Sequence, residues 1–216
     1  MKKTLFLVGA MFAGTAAFAD EDSTVAFSFG ETNNVESIQL DATDSVLSIS
    51  NATIDVTTFK SPGVGGTYIA PDTNVQTAKS WTLTFDLTNS SDQEIVLTGI
   101  NLSAFSFNAT AASQTNLRTI DFTVSAEETV FSGGTATTVS NNFGLTPVDT
   151  TGSFTLGAGS SVTISVTVDK NADINEGGCF VGLTGGTISY QVTPEPTTAT
   201  LSLLALAGLC ARRRRK

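Results

Sequence analysis

Residues 80–88 of this chain read Ser-Trp-Thr-Leu-Thr-Phe-Asp-Leu-Thr, with apolar and polar side chains in strict alternation. Successive side chains of a β-strand point to opposite faces, so this stretch predicts a strand with one face in a core and the other in water. Residues 161–168, Ser-Val-Thr-Ile-Ser-Val-Thr-Val, repeat the pattern without a fault. The apolar side chains of the first stretch, which we expect in the core, are Trp81, Leu83, Phe85 and Leu87.

The rest of the chain up to residue 193 has the pattern of strand-like segments and turn residues that is typical of an all-β protein. Short segments rich in Val, Ile, Phe and Thr alternate with Gly, Asn, Asp, Ser and Pro at intervals of about 8–12 residues. No segment in this part holds a 3.6-residue apolar period over three turns. The fold class is therefore predicted to be a two-sheet antiparallel β-sandwich, either jelly-roll or immunoglobulin-like.

Breaks in the alternation predict where strands bend or turn. The inward parity of the apolar residues changes at Gly99, which predicts a β-bulge there. Asn51-Ala52 is predicted to turn the chain between paired strands within residues 45–59. Gly185-Gly186 is predicted to turn it within a closing hairpin at residues 179–192.

The N-terminus has the three parts of a secretory signal peptide. Lys2-Lys3 forms a positive region, Leu5–Gly14 an apolar region, and Ala17-Phe18-Ala19 a small-residue cleavage site. We expect cleavage after Ala19, so that the exported chain starts at Asp20.

The C-terminus also has three parts. Pro194-Glu195-Pro196 separates the domain from the C-terminal segment, because proline fixes φ and lacks an N–H. The uncharged apolar run Ala199–Ala211 predicts a short hydrophobic helix that spans the membrane before processing. Five cations then end the chain and prefer the cytoplasmic side of a membrane: Arg212, Arg213, Arg214, Arg215 and Lys216.

This ending resembles the PEP-CTERM sorting signal of Gram-negative bacteria, with Thr193 standing where Val is common. The resemblance implies that an exosortase, a membrane transpeptidase, recognises the tail. It also implies transient anchoring in the inner membrane, followed by delivery to the cell surface or extracellular matrix. The expected organisation is a signal peptide at 1–19, a β-sandwich domain at 20–192 and a sorting signal at 193–216. The resemblance does not extend to the central domain, whose function must be argued from its own residues.

The central domain is strongly acidic. Residues 20–192 hold nineteen acidic and four basic residues, a net charge of −15. A surface of this sign repels phosphate backbones, so nucleic acid is excluded as a partner. Cys179 is its only cysteine, which rules out a disulfide within the domain, and we expect it to be a small buried side chain.

The residue types argue against catalysis, and we expect no enzyme. The chain has no histidine, which removes Ser-His-Asp and Cys-His chemistry and the commonest metal ligand. A glycan hydrolase would need two carboxylates about 5–10 Å apart. The acidic residues that could supply such a pair are Asp86, Asp121, Glu127 and Glu128.

No cofactor is required by the sequence, but one loop is a candidate for Ca²⁺. Side-chain oxygens recur at alternate positions, namely Asp169, Asn171, Asp173 and Asn175. Ile174 replaces the glycine of an EF-hand loop and Phe180 replaces its final Glu. The alternative interpretation is a polar connection that uses Asn and Asp for turn geometry.

Two further hypotheses remain for the central domain. The first is a non-catalytic sandwich of the cell envelope or extracellular matrix. The second is a carbohydrate-binding module or adhesin, with extracellular polysaccharide as its partner, which needs exposed aromatic side chains. Tyr68 lies in a Gly/Pro-rich region and is the aromatic least committed to a core, whereas Trp81 and Tyr190 are in phase with inward residues.

Overall fold

A computed structural model describes residues 22–29, 39–40, 46–60, 67–75, 80–108, 117–140, 144–170 and 179–193. These residues form antiparallel β-strands and their connections, with no α-helix among them. The expected all-β class with two antiparallel sheets is thus confirmed. Within these ranges no helix has the length and apolar character needed to cross a bilayer. The predicted signal peptide and C-terminal helix lie outside the described residues.

The described strands, in chain order, are β1 (Ser23–Ser28), β2 (Gln39–Leu40), β3 (Leu47–Ile54), β4 (Trp81–Asn89), β5 (Ile95–Phe107), β6 (Leu117–Ala126), β7 (Thr129–Phe131), β8 (Thr137–Ser140), β9 (Thr146–Val148), β10 (Phe154–Leu156), β11 (Ser161–Lys170) and β12 (Phe180–Val192). Sheet 1 has the order β10-β5-β12-β1-β2, with β9 also paired to β5. Sheet 2 has the order β3-β4-β11-β6-β7, with β8 also paired to β6.

The strand pairs are nested along the chain. β1 pairs with β12, β4 with β11, β5 with β9 and β10, and β6 with β7 and β8, all antiparallel. The pairs β12–β5 and β11–β6 then join this ribbon into two sheets. Residues far apart in sequence therefore meet in most of these pairs.

The inward side chains of both sheets form one hydrophobic cluster. Trp81 and Phe85 of sheet 2 are fully buried in it, together with Leu97 and Ile188 of sheet 1. Each large apolar side chain removed from water contributes about 1.5–3 kcal/mol, so the alternation seen in the sequence is the main source of stability. The predicted core position of Trp81 is confirmed.

The predicted bulge at Gly99 is confirmed. Ser189 lies opposite Gly99, and the next residue of β12 lies opposite Leu97, so Thr98 has no partner in the register. The extra residue shifts the parity of β5 and returns its apolar side chains to the core.

Two predicted turns are wrong. Residues 47–54 form one continuous strand, and Asn51, with φ of 51°, lies in a bulge where the register shifts between Ser50 and Thr53. Residues 180–192 are likewise one strand, because β12 pairs with β5 along its whole length. Gly185-Gly186 therefore lies within a strand, next to a second bulge.

Candidate functional site

A groove crosses the outer face of sheet 1, where β9, β5 and β12 lie side by side. Ser103 of β5 is flanked by Pro147 of β9 and Gly185 of β12, which makes one row across the three strands. In the next row Asn101 lies opposite Thr187, and Asp149, the residue after β9, completes the lining on that side. The cavity volume is about 310 Å³.

Where the groove lies, β12 bulges and carries two consecutive glycines. The register shifts between Leu183 and Gly185, so Thr184 has no partner on β5. A Cβ at Gly186 would lie 2.1 Å from the Asn101 carbonyl oxygen and 2.7 Å from the Phe27 ring, so no larger residue fits. Phe27 and Leu102, both buried, lie at the base of the groove.

The polar side chains of the groove retain unused hydrogen-bonding capacity. Asn101 Oδ1 accepts a hydrogen bond from the Thr150 N–H at 2.7 Å, which fixes the amide and leaves its NH₂ group without an acceptor among the described residues. In the same ranges the side chains of Ser103, Asp149 and Thr187 make no hydrogen bond or ion pair. Thr184 Oγ1 donates a long bond of 3.4 Å to the Ser103 carbonyl.

The outer face of sheet 2 is also polar, but its side chains bond to one another. Thr53 pairs with Thr84 at 2.7 Å, Thr88 with Ser161 at 2.7 Å, and Thr82 with Thr167 at 3.1 Å. The Asp86 carboxylate accepts from Asn51 Nδ2 and Thr163 Oγ1, both at 2.8 Å. Along β3, β4 and β11 this face therefore holds a network of internal hydrogen bonds.

An aromatic cluster lies beyond one end of the groove on the same outer face. Phe107 stacks on Phe105 and on Phe180, with ring centroids 5.9 and 5.6 Å apart. The half-buried Tyr68 packs edge-on against Phe105 at 5.9 Å. Phe105 follows Ser103 by two residues, so Tyr68 packs against the next side chain on this face of β5 beyond the groove. The predicted burial of Tyr190 is confirmed, at 5% exposure.

A cation closes this cluster from the side of the β3–β4 connection. Lys60 Nζ lies 4.8 Å from the centre of the Phe180 ring and 3.3 Å from the Asp72 carboxylate. The three Phe residues are 6% exposed or less, whereas Tyr68 is half-buried.

Two of the carboxylates proposed for glycan hydrolysis, Asp86 and Asp121, lie far apart. Asp86 lies opposite Thr163 and Asp121 lies opposite Asp169, six residues further along β11, which is about 20 Å at ~3.3 Å per residue. Hydrogen bonds from Asn51 and then Thr163 lower the pKa of Asp86, whereas a general acid needs a raised pKa.

The two remaining carboxylates of that hypothesis follow β6. Glu127 and Glu128 are exposed in the turn that leads into β7, and Glu127 adopts a φ of 50°. Their position in this turn fits the chain reversal between two paired strands.

Of the four residues proposed to bind calcium, only Asp169 belongs to the described part of the chain. Asp169 is exposed on the outer face of sheet 2, opposite Asp121. Asn171, Asp173 and Asn175 lie outside the described residues. Within the described ranges, no three Asp, Glu or Cys side chains gather as a metal site would require. The sorting-signal residues 194–196 and 212–216 and the cleavage residues Ala17 and Ala19 also lie outside the description.

Cys179 is fully buried, as predicted. Burial raises the pKa of its thiol to about 11, against an opposing effect of the neighbouring Arg118 charge. The thiol therefore stays protonated at neutral pH, and Cys179 serves as an apolar side chain next to Asn74, whose side chain accepts its backbone N–H at 3.0 Å.

The groove was not predicted from the sequence. Its one local signal was the pair Gly185-Gly186 inside an alternating segment, which marks either a turn or a bulge with close backbone approach. The choice between them depends on β5, eighty residues earlier in the chain, and on Asp149, which no motif singled out.

No family model and no curated protein matches this chain. Among solved structures it is similar to the functional form of the mosquito-larvicidal Cry4Aa toxin from Bacillus thuringiensis, at 7% sequence identity and a TM-score of 0.32. The match covers 80% of this chain and 42% of the toxin chain, so it spans less than half of that protein. A likeness at this level carries no argument about function.

Proposed function

We propose that this protein is an exported, non-catalytic β-sandwich protein of the cell envelope or extracellular matrix, processed at its tail by an exosortase. The observation that carries the proposal is a sequence of three features at the C-terminus. Pro194-Glu195-Pro196 comes first, the apolar run follows, and the basic residues 212–216 end the chain. The secretory features of residues 1–19 support the same route.

The nested strand pairing supports the jelly-roll form of the sandwich over the immunoglobulin-like form. Folding one long antiparallel ribbon, with β1 on β12 and β4 on β11, produces two sheets that alternate along the chain. The shared core of inward side chains supports face-to-face packing of these sheets.

The charge and chemistry of the domain support an interaction role. The net charge of −15 on residues 20–192 keeps such a domain soluble outside the cell. A hydrolase needs two close carboxylates in a cleft, whereas the lining of the described groove contains one, Asp149.

The sorting proposal is tested by replacing Arg212–Arg215 with Ser in the native host and fractionating the cells. The cations stop transfer through the inner membrane, so the variant should pass beyond this membrane with its tail uncleaved. Asp92→Asn, a charge change in an exposed turn, should be sorted and processed like the natural protein. Normal retention and processing of the serine variant would contradict the proposal.

The groove favours a second candidate function, the carbohydrate-binding module. Its specific support is the set of unpaired polar side chains beside an apolar floor and a partly accessible tyrosine. This candidate adds a ligand to the first proposal and does not replace it.

A further inference from the structure

We propose that the groove lined by Asn101, Ser103, Asp149 and Thr187 binds a short stretch of a neutral polysaccharide. The inference rests on the proposed function, because export is what brings the domain to extracellular polysaccharide. It assigns the ligand class and the residues that contact it.

The dimensions of the groove suit sugar rings. Three strands placed about 4.8 Å apart give a floor about 10 Å wide, and its two residue rows are about 7 Å apart along the strands. The cavity of about 310 Å³ has the size of a small-molecule site. This space admits one or two pyranose rings of a longer chain that enters and leaves along the open face.

The free polar groups match sugar hydroxyls, which both donate and accept hydrogen bonds. The Asp149 carboxylate accepts only, the Asn101 amide NH₂ donates only, and the hydroxyls of Ser103 and Thr187 do either. Because Asn101 is held by the Thr150 N–H, its donor is fixed before the ligand arrives. Few internal hydrogen bonds of these groups would have to break when a ligand binds.

The remaining lining suits the C–H faces of a sugar. The exposed Pro147 supplies apolar surface between the polar groups, above the buried Phe27 and Leu102. The half-buried Tyr68 lies beyond Ser103 on the same outer face, next to the position of a neighbouring sugar unit.

The electrostatics select neutral sugars over acidic ones. Asp149 lies in the groove, and the domain around it has a net charge of −15. Uronate, phosphate and sulfate groups would therefore be repelled at low and moderate salt.

The experiment is affinity electrophoresis and isothermal titration calorimetry of the full chain in a detergent without a sugar headgroup. The probes are soluble neutral β-glucan, α-glucan, mannan and galactan, with alginate and heparin as anionic probes. At least one neutral probe should bind, and the anionic probes should not. Binding to anionic probes alone, or to none of the probes, overturns the proposal.

Variants locate the binding. Asp149→Asn and Thr187→Val each remove one polar function without changing the shape of the side chain, and each should weaken binding, Asp149→Asn by about tenfold. The matched controls Asp92→Asn and Thr123→Val change an exposed turn and the outer face of sheet 2, and they should bind like the natural protein. Equal losses in variants and controls, or no loss in the groove variants, overturn the assignment.

This experiment is independent of sorting. Purified protein reports on the groove whether or not the tail is processed in cells, and the fractionation of the Arg212–Arg215 variant reports on the tail whether or not the groove binds sugar. Failure of one proposal is thereby distinguishable from failure of the other.

Discussion

The outer faces of the two sheets have similar composition and opposite organisation. On sheet 2 the strands β4 and β11 run in unbroken register, and hydroxyls on neighbouring strands bond to each other, as Thr82 does to Thr167. On sheet 1 the bulges of β5 and β12 disturb that register, and Asn101, Ser103 and Thr187 are left with free hydrogen-bonding groups. The regular pairing of β4 with β11 therefore uses hydroxyls internally, whereas beside the bulges of β5 and β12 polar groups are available to a ligand.

The largest expected effect comes from adding a side chain at Gly186, next to the bulge of β12. Gly186→Ala places a methyl group 2.1 Å from the Asn101 carbonyl oxygen, which is backbone and cannot move aside alone. We expect a loss of about 3 kcal/mol in the free energy of unfolding, at the upper end of overpacking effects. Urea denaturation followed by Trp81 fluorescence measures it.

Gly159→Ala is the matched control for this change. Its Cβ would meet nothing within 4 Å, so the cost comes from the φ of +66° alone, about 1 kcal/mol. If Gly186→Ala is no more destabilising than Gly159→Ala, the close approach of β12 to β5 at this point is wrong.

The regular strands of sheet 2 were predictable from the sequence. The alternation in 80–88 and 161–168 is a local property, and it correctly identified β4, β11 and the core position of Trp81. The bulge at Gly99 was also predictable, since an apolar series that changes parity can keep both halves in the core only if the strand carries an extra residue.

The groove on sheet 1 was not predictable from the sequence, because it depends on residues that are far apart in the chain. Gly185-Gly186 has the composition of a turn, and only the length of its pairing with β5 makes it part of a strand. β9 is three residues long and contains Pro147, which is tolerated at a sheet edge but weakens any strand signal. A groove assembled from these pieces has no signature in any one segment.

An intermediate effect is expected at Asp86, in the centre of the network on sheet 2. Asp86→Asn weakens the bonds accepted from Asn51 and Thr163, with a loss of about 1 kcal/mol at pH 7. These bonds lower the pKa of Asp86 in the folded state, so their contribution is present above the unfolded pKa of about 4. It is lost as the pH falls through the lower folded pKa.

The measurement is thermal unfolding of both proteins from pH 7 to pH 2. The difference in stability should persist down to about pH 5 and close as the pH falls from about 4 toward 2. Thr123→Val changes the same face outside the Asp86 hydrogen bonds. Its stability difference from the natural protein should not shrink as the pH falls. A difference that widens in acid would mean that the network does not favour the charged carboxylate.

The smallest expected effect distinguishes the two faces most directly. Thr82 and Thr167 share a hydroxyl–hydroxyl contact of 3.1 Å on sheet 2, so the variants Thr82→Val and Thr167→Val should not be additive. A double-mutant cycle should give a coupling energy of about 0.5 kcal/mol, within the range of cross-strand pairs.

On sheet 1, Ser103→Ala and Thr187→Val remove hydroxyls that share no hydrogen bond, and their effects on stability should add. Coupling of similar size on both faces would mean that the groove hydroxyls are already paired. They would then be no more available to a sugar than those of sheet 2.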